Sequence, residues 1–295
     1  MKTGYLETLD EIDFSLPTDH TLLKKVLGGK PAQQVNVHIG MEGWTDRGYV
    51  GKIYPLKTKS RDFLMFYAKH FNAVEVNSTR FSLPKKTAVA TWKDQTPDGF
   101  KFAVKLPQYI SHQRVLNDED VFADVDKLLD TFGILEDKLG TCYLQLPSSF
   151  KADRLPELYH FAEYFPEEYE LCVELRDAKL LADASGFTNV VNNLASYNIS
   201  SSISDLPDRR DLAHMALSSK TAYVRLAGNR LHATDYYRCD QWIERLSEWI
   251  SMGLETIYFF VHQPAPNKSD SATLVRYVIE NLEKKAGISI PQPSA

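Results

Sequence analysis

Eight short apolar runs, each followed by a helix-like stretch, constrain this chain more than any other feature of its sequence. The runs occupy residues 35–39, 73–77, 100–105, 141–146, 170–176, 199–205, 221–226 and 256–262. Strands joined by crossovers of that length lie parallel, because each crossover returns the chain to the end of the sheet it left. Eight such units predict a closed TIM-type (β/α)8 parallel barrel, and 295 residues suffice for one such domain, which typically takes about 250. No Gly-x-Gly-x-x-Gly turn follows the first run, so an open dinucleotide-binding sheet loses its main support.

The intervening stretches carry helical periodicity. Ser60 is placed to cap a run with Phe63, Phe66, Tyr67 and Phe71 on one face. Leu155, Leu158, Ala162 and Phe165 repeat the pattern, as do Trp242, Leu246, Trp249 and Ile250, and then Leu274, Val278 and Leu282. Residues 208–217, after the sixth run, form the weakest helix of the set. Residues 1–34 have mixed charge and end in the breaker Gly28-Gly29-Lys30-Pro31, which predicts an N-terminal extension packed outside a barrel domain of residues 35–290.

Composition narrows the function classes. The chain is 43% hydrophobic and 25% charged with a net charge of −5, enough apolar material for a large core and no general excess of positive charge for nucleic acid. Nucleic acid is therefore an unexpected partner, and no run approaches the roughly 20 apolar residues that span a membrane. The first residues carry Glu7, Asp10, Glu11 and Asp13 rather than an apolar leader, so a cytoplasmic location is expected. Cys142, Cys172 and Cys239 have neither metal-ligand spacing nor an even count, which fits buried thiols in a reducing compartment.

Several motifs resemble the YecE-like family, domain of unknown function 72. They are Gly40-Met41-Glu42-Gly43-Trp44, Ile53-Tyr54-Pro55, and the long run YAKHFNAVEVNSTRFSLP at 67–84. The resemblance continues through TPDGFKFAVKLP at 96–107, Ile110-Ser111-His112, KLGTCYLQLP at 138–147, Glu174-Leu175-Arg176-Asp177 and YVRLAGN at 223–229. Here Arg80 precedes Phe81 where the family usually has an aromatic pair, Ala227 stands where it has a polar residue, and the last run ends in His262-Gln263 rather than in asparagines. The resemblance implies a TIM-type barrel and assigns no reaction.

Strand alternation adds candidates that the resemblance does not. Residues two apart in a strand share a face. Val74 and Val76 facing the helices leave Glu75 and Asn77 toward the barrel axis, and Phe100, Phe102 and Val104 outside leave Lys105 inside. By the same parity Gln145, Glu174, Arg176, Arg225 and His262 point inward, while Asp205 shares the parity of Ile203 and is ambiguous. Each sits late in its strand, and barrels collect their catalytic and binding groups at that C-terminal mouth.

The expected site therefore has Glu174, His112 and His262 as proton carriers. Trp44, Asn77, Lys105, Gln145, Arg176, Asp205 and Arg225 hold a small anionic, phosphorylated or sugar-like substrate. Four of these, Lys105, Glu174, Arg176 and Arg225, should border one cavity open to water. No cofactor is expected. A metal is not expected either, since Lys105, Arg176 and Arg225 would repel a dication. Three alternatives stand beside this reading. The mouth charges form a neutral structural lattice, with Glu75 pairing to Lys105 on the next strand; the mouth is a non-catalytic binding module for an anionic metabolite or a nucleic-acid end; or, by barrel analogy alone, the protein is a metal-dependent nuclease.

Overall fold

The computed structural model describes residues 6–112 and 115–291. Eight strands, β1 (Asn36–Met41), β2 (Ala73–Val76), β3 (Lys101–Lys105), β4 (Leu139–Gln145), β5 (Leu171–Glu174), β6 (Ser200–Asp205), β7 (Thr221–Ala227) and β8 (Thr256–His262), close in sequence order into one barrel. Every neighbouring pair is parallel, including β1 with β8. The expected TIM-type barrel is the observed one. Strand ends differ from the sequence estimates by a residue or two, the usual uncertainty of such boundaries.

Ten α-helices lie among the described residues: α1 (Leu23–Leu27), α2 (Phe63–Tyr67), α3 (Lys86–Asp94), α4 (Gln108–Ser111), α5 (Glu119–Phe132), α6 (Leu155–Tyr164), α7 (Ala178–Ala182), α8 (Ala184–Ser196), α9 (Ala233–Met252) and α10 (Ser271–Ala286). Their apolar stripes pack on the outward residues of the strands, so Val74, Phe102, Val104, Leu144, Val173, Val224, Phe259 and Val261 belong to one core with Trp242, Leu246, Leu274 and Val278. A separate inner core of Ala73, Ala103, Tyr143, Cys172, Tyr223, Tyr258 and Phe260 fills the barrel itself. Two cores of opposite parity are what period-2 strands enclosed on both sides must produce.

Two helix expectations need correction. Ser60 opens a 3-10 turn, and no side-chain cap forms there before α2. Residues 208–217 contain only the 3-10 turn Arg210–Leu212. In that crossover Arg210 turns back onto Asp205 of β6, and the chain N-terminal to the barrel covers the wall instead. His20 donates its backbone N–H to the Met215 carbonyl at 3.2 Å and sets its ring edge-on against Phe187. Further along, Gln241 and Arg245 of α9 bond the backbone of Phe14 and Pro17. Gly253 ends α9 at φ +118°, and a Cβ there would sit 2.1 Å from the Leu27 carbonyl oxygen, so the close approach of the extension requires glycine.

The first two strands pair over only two residues, Gly40 with Ala73 and Met41 with Val74. Side chains complete the seam. The Tyr67 hydroxyl donates to the Ala73 carbonyl at 2.7 Å and accepts from the Met41 N–H at 2.9 Å, and Asn72 bonds the backbone of Val37 and Ile39. These bonds give Tyr67 and Asn72, both within the long 67–84 motif, a structural purpose: they satisfy buried backbone groups that the ladder leaves over.

Candidate functional site

The floor of the C-terminal mouth is aromatic. Tyr143 and Tyr223 stack with ring centroids 5.1 Å apart, and Phe260 lies 5.5 Å from Tyr223. Both tyrosines point their hydroxyls at carboxylates one layer higher: Tyr223 donates to Glu75 at 2.8 Å, and Tyr143 donates to Glu174. Inward parity at the ends of β2 and β5 puts these two acids above the apolar floor, where each needs several donors to remain ionised.

Glu75 has them. Arg225 Nε and Nη2 grip its two oxygens at 2.8 and 2.9 Å, and Asn77 Nδ2 donates at 2.6 Å. Burial alone would raise its pKa; Arg225 first, then His262 and Asn77, pull it far below the carboxylate range. The partner expected from sequence was Lys105. Barrel closure instead brings β7 within reach of β2, and Lys105 donates to the Gln145 Oε1 at 2.7 Å.

Glu174 accepts from Tyr143, from Gln145 Nε2 and from Ser204 Oγ at 2.5 Å, with Arg225 Nη1 at 3.8 Å and Arg176 Nη1 at 3.9 Å. Burial opposes its charge, but Arg225, Arg176, Ser204 and Tyr143 outweigh it and hold the pKa at about 2. Such a carboxyl gives up no proton near neutrality and is too weak a base to take one. The proton-carrier role expected of Glu174 therefore does not fit its surroundings. It acts as a fixed charge that locks the Gln145 amide with its oxygen toward Lys105.

Lys105 is the cation buried beside these two acids. Its side chain is 4% exposed, lies 5.7 Å over the Tyr143 ring, and has no carboxylate within 4.0 Å among the described residues. Burial, then Arg225, push its pKa down to about 8 against the pull of Glu75 and Glu174. Arg176, with 16% side-chain exposure, stands beside Glu174, and no hydrogen bond engages its guanidinium among the described residues. Arg225 Nη1 is likewise buried without a hydrogen-bond partner. His112 is exposed on the rim; desolvation first, then Lys105, Arg80 and Arg176, lower its pKa below the usual histidine value.

Lys105, Glu174, Arg176 and Arg225 thus converge at one end of the barrel, with Gln145 and Asn77 among them. The water-open cavity expected there is mostly closed: Lys105, Glu174 and Arg225 are sealed, and of the four Arg176 keeps the most contact with water. His262 is buried at the same end, its Nδ1 2.8 Å from Glu42 and its Nε2 3.4 Å from Glu75.

Two expected members lie elsewhere. Trp44 turns away from the axis, its ring edge-on to Trp92 of α3 at 5.0 Å and to outward-facing Phe102 at 6.4 Å. Asp205 shares the outward parity of Ile203 and is buried under α9, where it pairs with Arg238 and Arg210 and accepts the Trp242 Nε1–H at 2.8 Å. Sequence reasoning missed Glu42, Tyr143, Ser204 and Tyr223. Parity held the signal: Glu42 follows Gly40, Tyr143 precedes Gln145, Tyr223 precedes Arg225, and Ser204 alternates with Ile203.

Among the described residues no three His, Cys, Asp or Glu side chains group as metal ligands. The three thiols are buried, and burial pushes that of Cys142 up to about 12, which leaves them inert toward nucleophilic chemistry. A cavity of about 490 Å³ opens at the opposite end of the barrel, beside Asn36, His38, Asn72, Lys101, Glu170 and Tyr258. Those are strand starts, where barrel residues serve stability rather than chemistry. No helix among the described residues is long and apolar enough to cross a membrane.

The family described as "Protein of unknown function DUF72" matches residues 38–295. The UPF0759 protein YecE of Escherichia coli (strain K12) is 29% identical over 252 residues, covering 78% of this chain and 90% of its own. The UPF0759 protein YunF of Bacillus subtilis (strain 168) is 31% identical over 121 residues, 39% of this chain and 41% of YunF. Among solved structures, a DUF72 family protein of Enterococcus faecalis V583 superposes with TM-score 0.64 at 15% identity, covering 88% of this chain and 98% of that one. A DUF72 family protein of Thermotoga maritima MSB8 gives 0.56 at 21%, covering 83% and 99%. At those identities the likeness speaks for the fold.

Proposed function

This chain belongs to the DUF72 family, and we propose that its barrel binds and transforms a small anionic molecule at the C-terminal mouth by acid/base chemistry. One observation carries the proposal: the Arg176 guanidinium sits at the mouth with no hydrogen bond among the described residues, 3.9 Å from Glu174. A guanidinium offers five N–H donors in a planar fork, and a carboxylate or phosphate is the group that matches it.

The mouth then divides into two tiers. The inner tier, Glu75 with Arg225, Tyr223 and Asn77, is a buried ion pair in which the carboxylate is fully engaged, and it holds the wall together. The outer tier, Arg176, Lys105 and His112, has unspent donors and titratable groups. In this reading Arg176 holds the anion. Lys105, at about 8, is the base or acid that Glu174, at about 2, cannot be. His112 is the second proton carrier on the rim.

Calorimetric titration with inorganic phosphate, pyruvate, 2-oxoglutarate and glyceraldehyde 3-phosphate tests the binding step. At least one should bind to the native protein and lose at least about tenfold in affinity with Arg176→Met, about 1.4 kcal/mol. Failure of all four to bind, or undiminished binding to the variant, overturns the proposal.

A further inference from the structure

We infer that Lys105 is a covalent nucleophile, whose amine condenses with the carbonyl of a small anion carrying an aldehyde or ketone. This rests on the anion-binding reading above and names its substrate class. A buried lysine is ordinarily held by a carboxylate, which fixes it as an ammonium ion. Lys105 is 4% exposed, ends β3 on the axial face, and meets a neutral amide oxygen, Gln145 Oε1, at 2.7 Å. No carboxylate lies within 4.0 Å of it among the described residues, although Glu75 stands late in the neighbouring strand β2 and Glu174 ends β5, two strands away. Both acids are committed elsewhere, to Arg225 and to Tyr143, Gln145 and Ser204.

The amide is oriented for the purpose. Gln145 Nε2 donates to Glu174, and also to the Tyr143 hydroxyl at 3.1 Å, so its oxygen must face Lys105. A neutral amine has two N–H bonds and one lone pair. With one N–H on Gln145 Oε1, the lone pair is steered away from Gln145. The low pKa, about 8, leaves a useful neutral fraction near physiological pH. Two strands away, Arg176 offers the fork for the anionic end of the same molecule.

The step balances without a further reactant. The nitrogen lone pair forms a C–N bond to the carbonyl carbon, the C=O π pair moves to oxygen, and one proton passes from nitrogen to that oxygen. The hydroxyl of the resulting carbinolamine takes up a proton and leaves as water while the nitrogen lone pair forms C=N, and the nitrogen then gives back its remaining proton, so both amine hydrogens leave in the water. The product is an imine between Lys105 and the anion, an electron sink for removing a proton from the adjacent carbon.

Borohydride trapping tests this on the full-length protein. Each carbonyl probe from the calorimetry (pyruvate, 2-oxoglutarate, glyceraldehyde 3-phosphate) is incubated with protein and sodium borohydride, and the protein is then mapped by mass spectrometry. The expected result is a single reduced adduct on the peptide containing Lys105 with at least one probe, lost with Lys105→Arg and weakened with Arg176→Met. Mapping the native protein locates the adduct even if a variant folds poorly. Carbonyl probes that bind by calorimetry yet leave Lys105 unmodified overturn this inference while the anion-binding reading stands. Adducts spread over surface lysines and unchanged in Lys105→Arg overturn it as well. Absence of both binding and adduct removes the two together.

Discussion

Arg225 on β7 grips both carboxylate oxygens of Glu75 on β2, at 2.8 and 2.9 Å, across the barrel interior. Strands β8 and β1 separate the two around the wall, so the pair ties non-adjacent staves of the barrel together. Both side chains are sealed from water. Removing one member leaves the other charge buried and uncompensated.

Arg225→Met should therefore cost about 3–5 kcal/mol of folding stability, measured by urea unfolding. Adding Glu75→Gln to that variant should recover part of the loss, because the orphaned charge is gone. A loss under about 1 kcal/mol would show that Arg225 is not the structural tie described above.

Arg176→Met should behave in the opposite way. Its guanidinium makes no hydrogen bond among the described residues, and its nearest acid is 3.9 Å off, so the stability change should stay within about 1 kcal/mol. Anion affinity should fall at least about tenfold. A folding defect comparable to that of Arg225→Met would place Arg176 in the lattice rather than in the outer tier.

The barrel and the inward parity of its acids and bases were legible in the sequence, because period-2 alternation reports which face a side chain takes. Partners were not. Parity places Glu75 and Lys105 on the same face of adjacent strands, but only closure of the barrel reveals that Arg225 reaches Glu75 first. Asp205 misled for a related reason: β6 reads Ser-Ser-Ser-Ile-Ser-Asp, and Ile203 is the single bulky residue to mark its outward face. The buried outward Asp205 is satisfied by Arg238 and Trp242, which lie 33 and 37 residues further along the chain. Trp44 follows a glycine turn, where alternation no longer predicts direction, and it packs outside the wall. Residues 208–217 hold only a 3-10 turn, and there the N-terminal extension bonds the Met215 carbonyl through His20, a long-range contact that no local pattern encodes.

Acid should weaken the fold through Glu174. Its pKa is about 2 in the folded protein against 4.5 for a free glutamate, so the folded state binds fewer protons over that interval. The stabilisation is complete above about pH 4.5 and is lost as pH falls toward 2, on the order of 3 kcal/mol in all. Glu75 shifts in the same direction and steepens the loss. Urea midpoints between pH 5 and 3 should fall more steeply in the native protein than in Glu174→Gln. Parallel pH curves would mean that Glu174 does not carry the charge assigned to it.

Lys105 should do the reverse at alkaline pH. Its pKa drops from 10.5 to about 8 on folding, so between those values the unfolded chain binds more protons and stability rises with pH. Below pH 8 the folded protein bears the full cost of a buried ammonium, about 3 kcal/mol from the shift. Lys105→Met removes that cost and orphans Gln145 Oε1, a loss of about 1 kcal/mol. The variant should consequently be more stable than the native protein at pH 7, by roughly 2 kcal/mol, while losing every trapped adduct. A residue whose removal strengthens the fold and abolishes chemistry is held in place for function. The two stability curves should cross between pH 8 and 10.5, and above pH 10.5, where the amine is neutral in both states, the native protein should be the more stable by about 1 kcal/mol, the cost of the orphaned Gln145 Oε1. If Lys105→Met is less stable at pH 7, or the curves run parallel from pH 7 to 10.5, Lys105 is a structural cation and the reactive-amine reading falls.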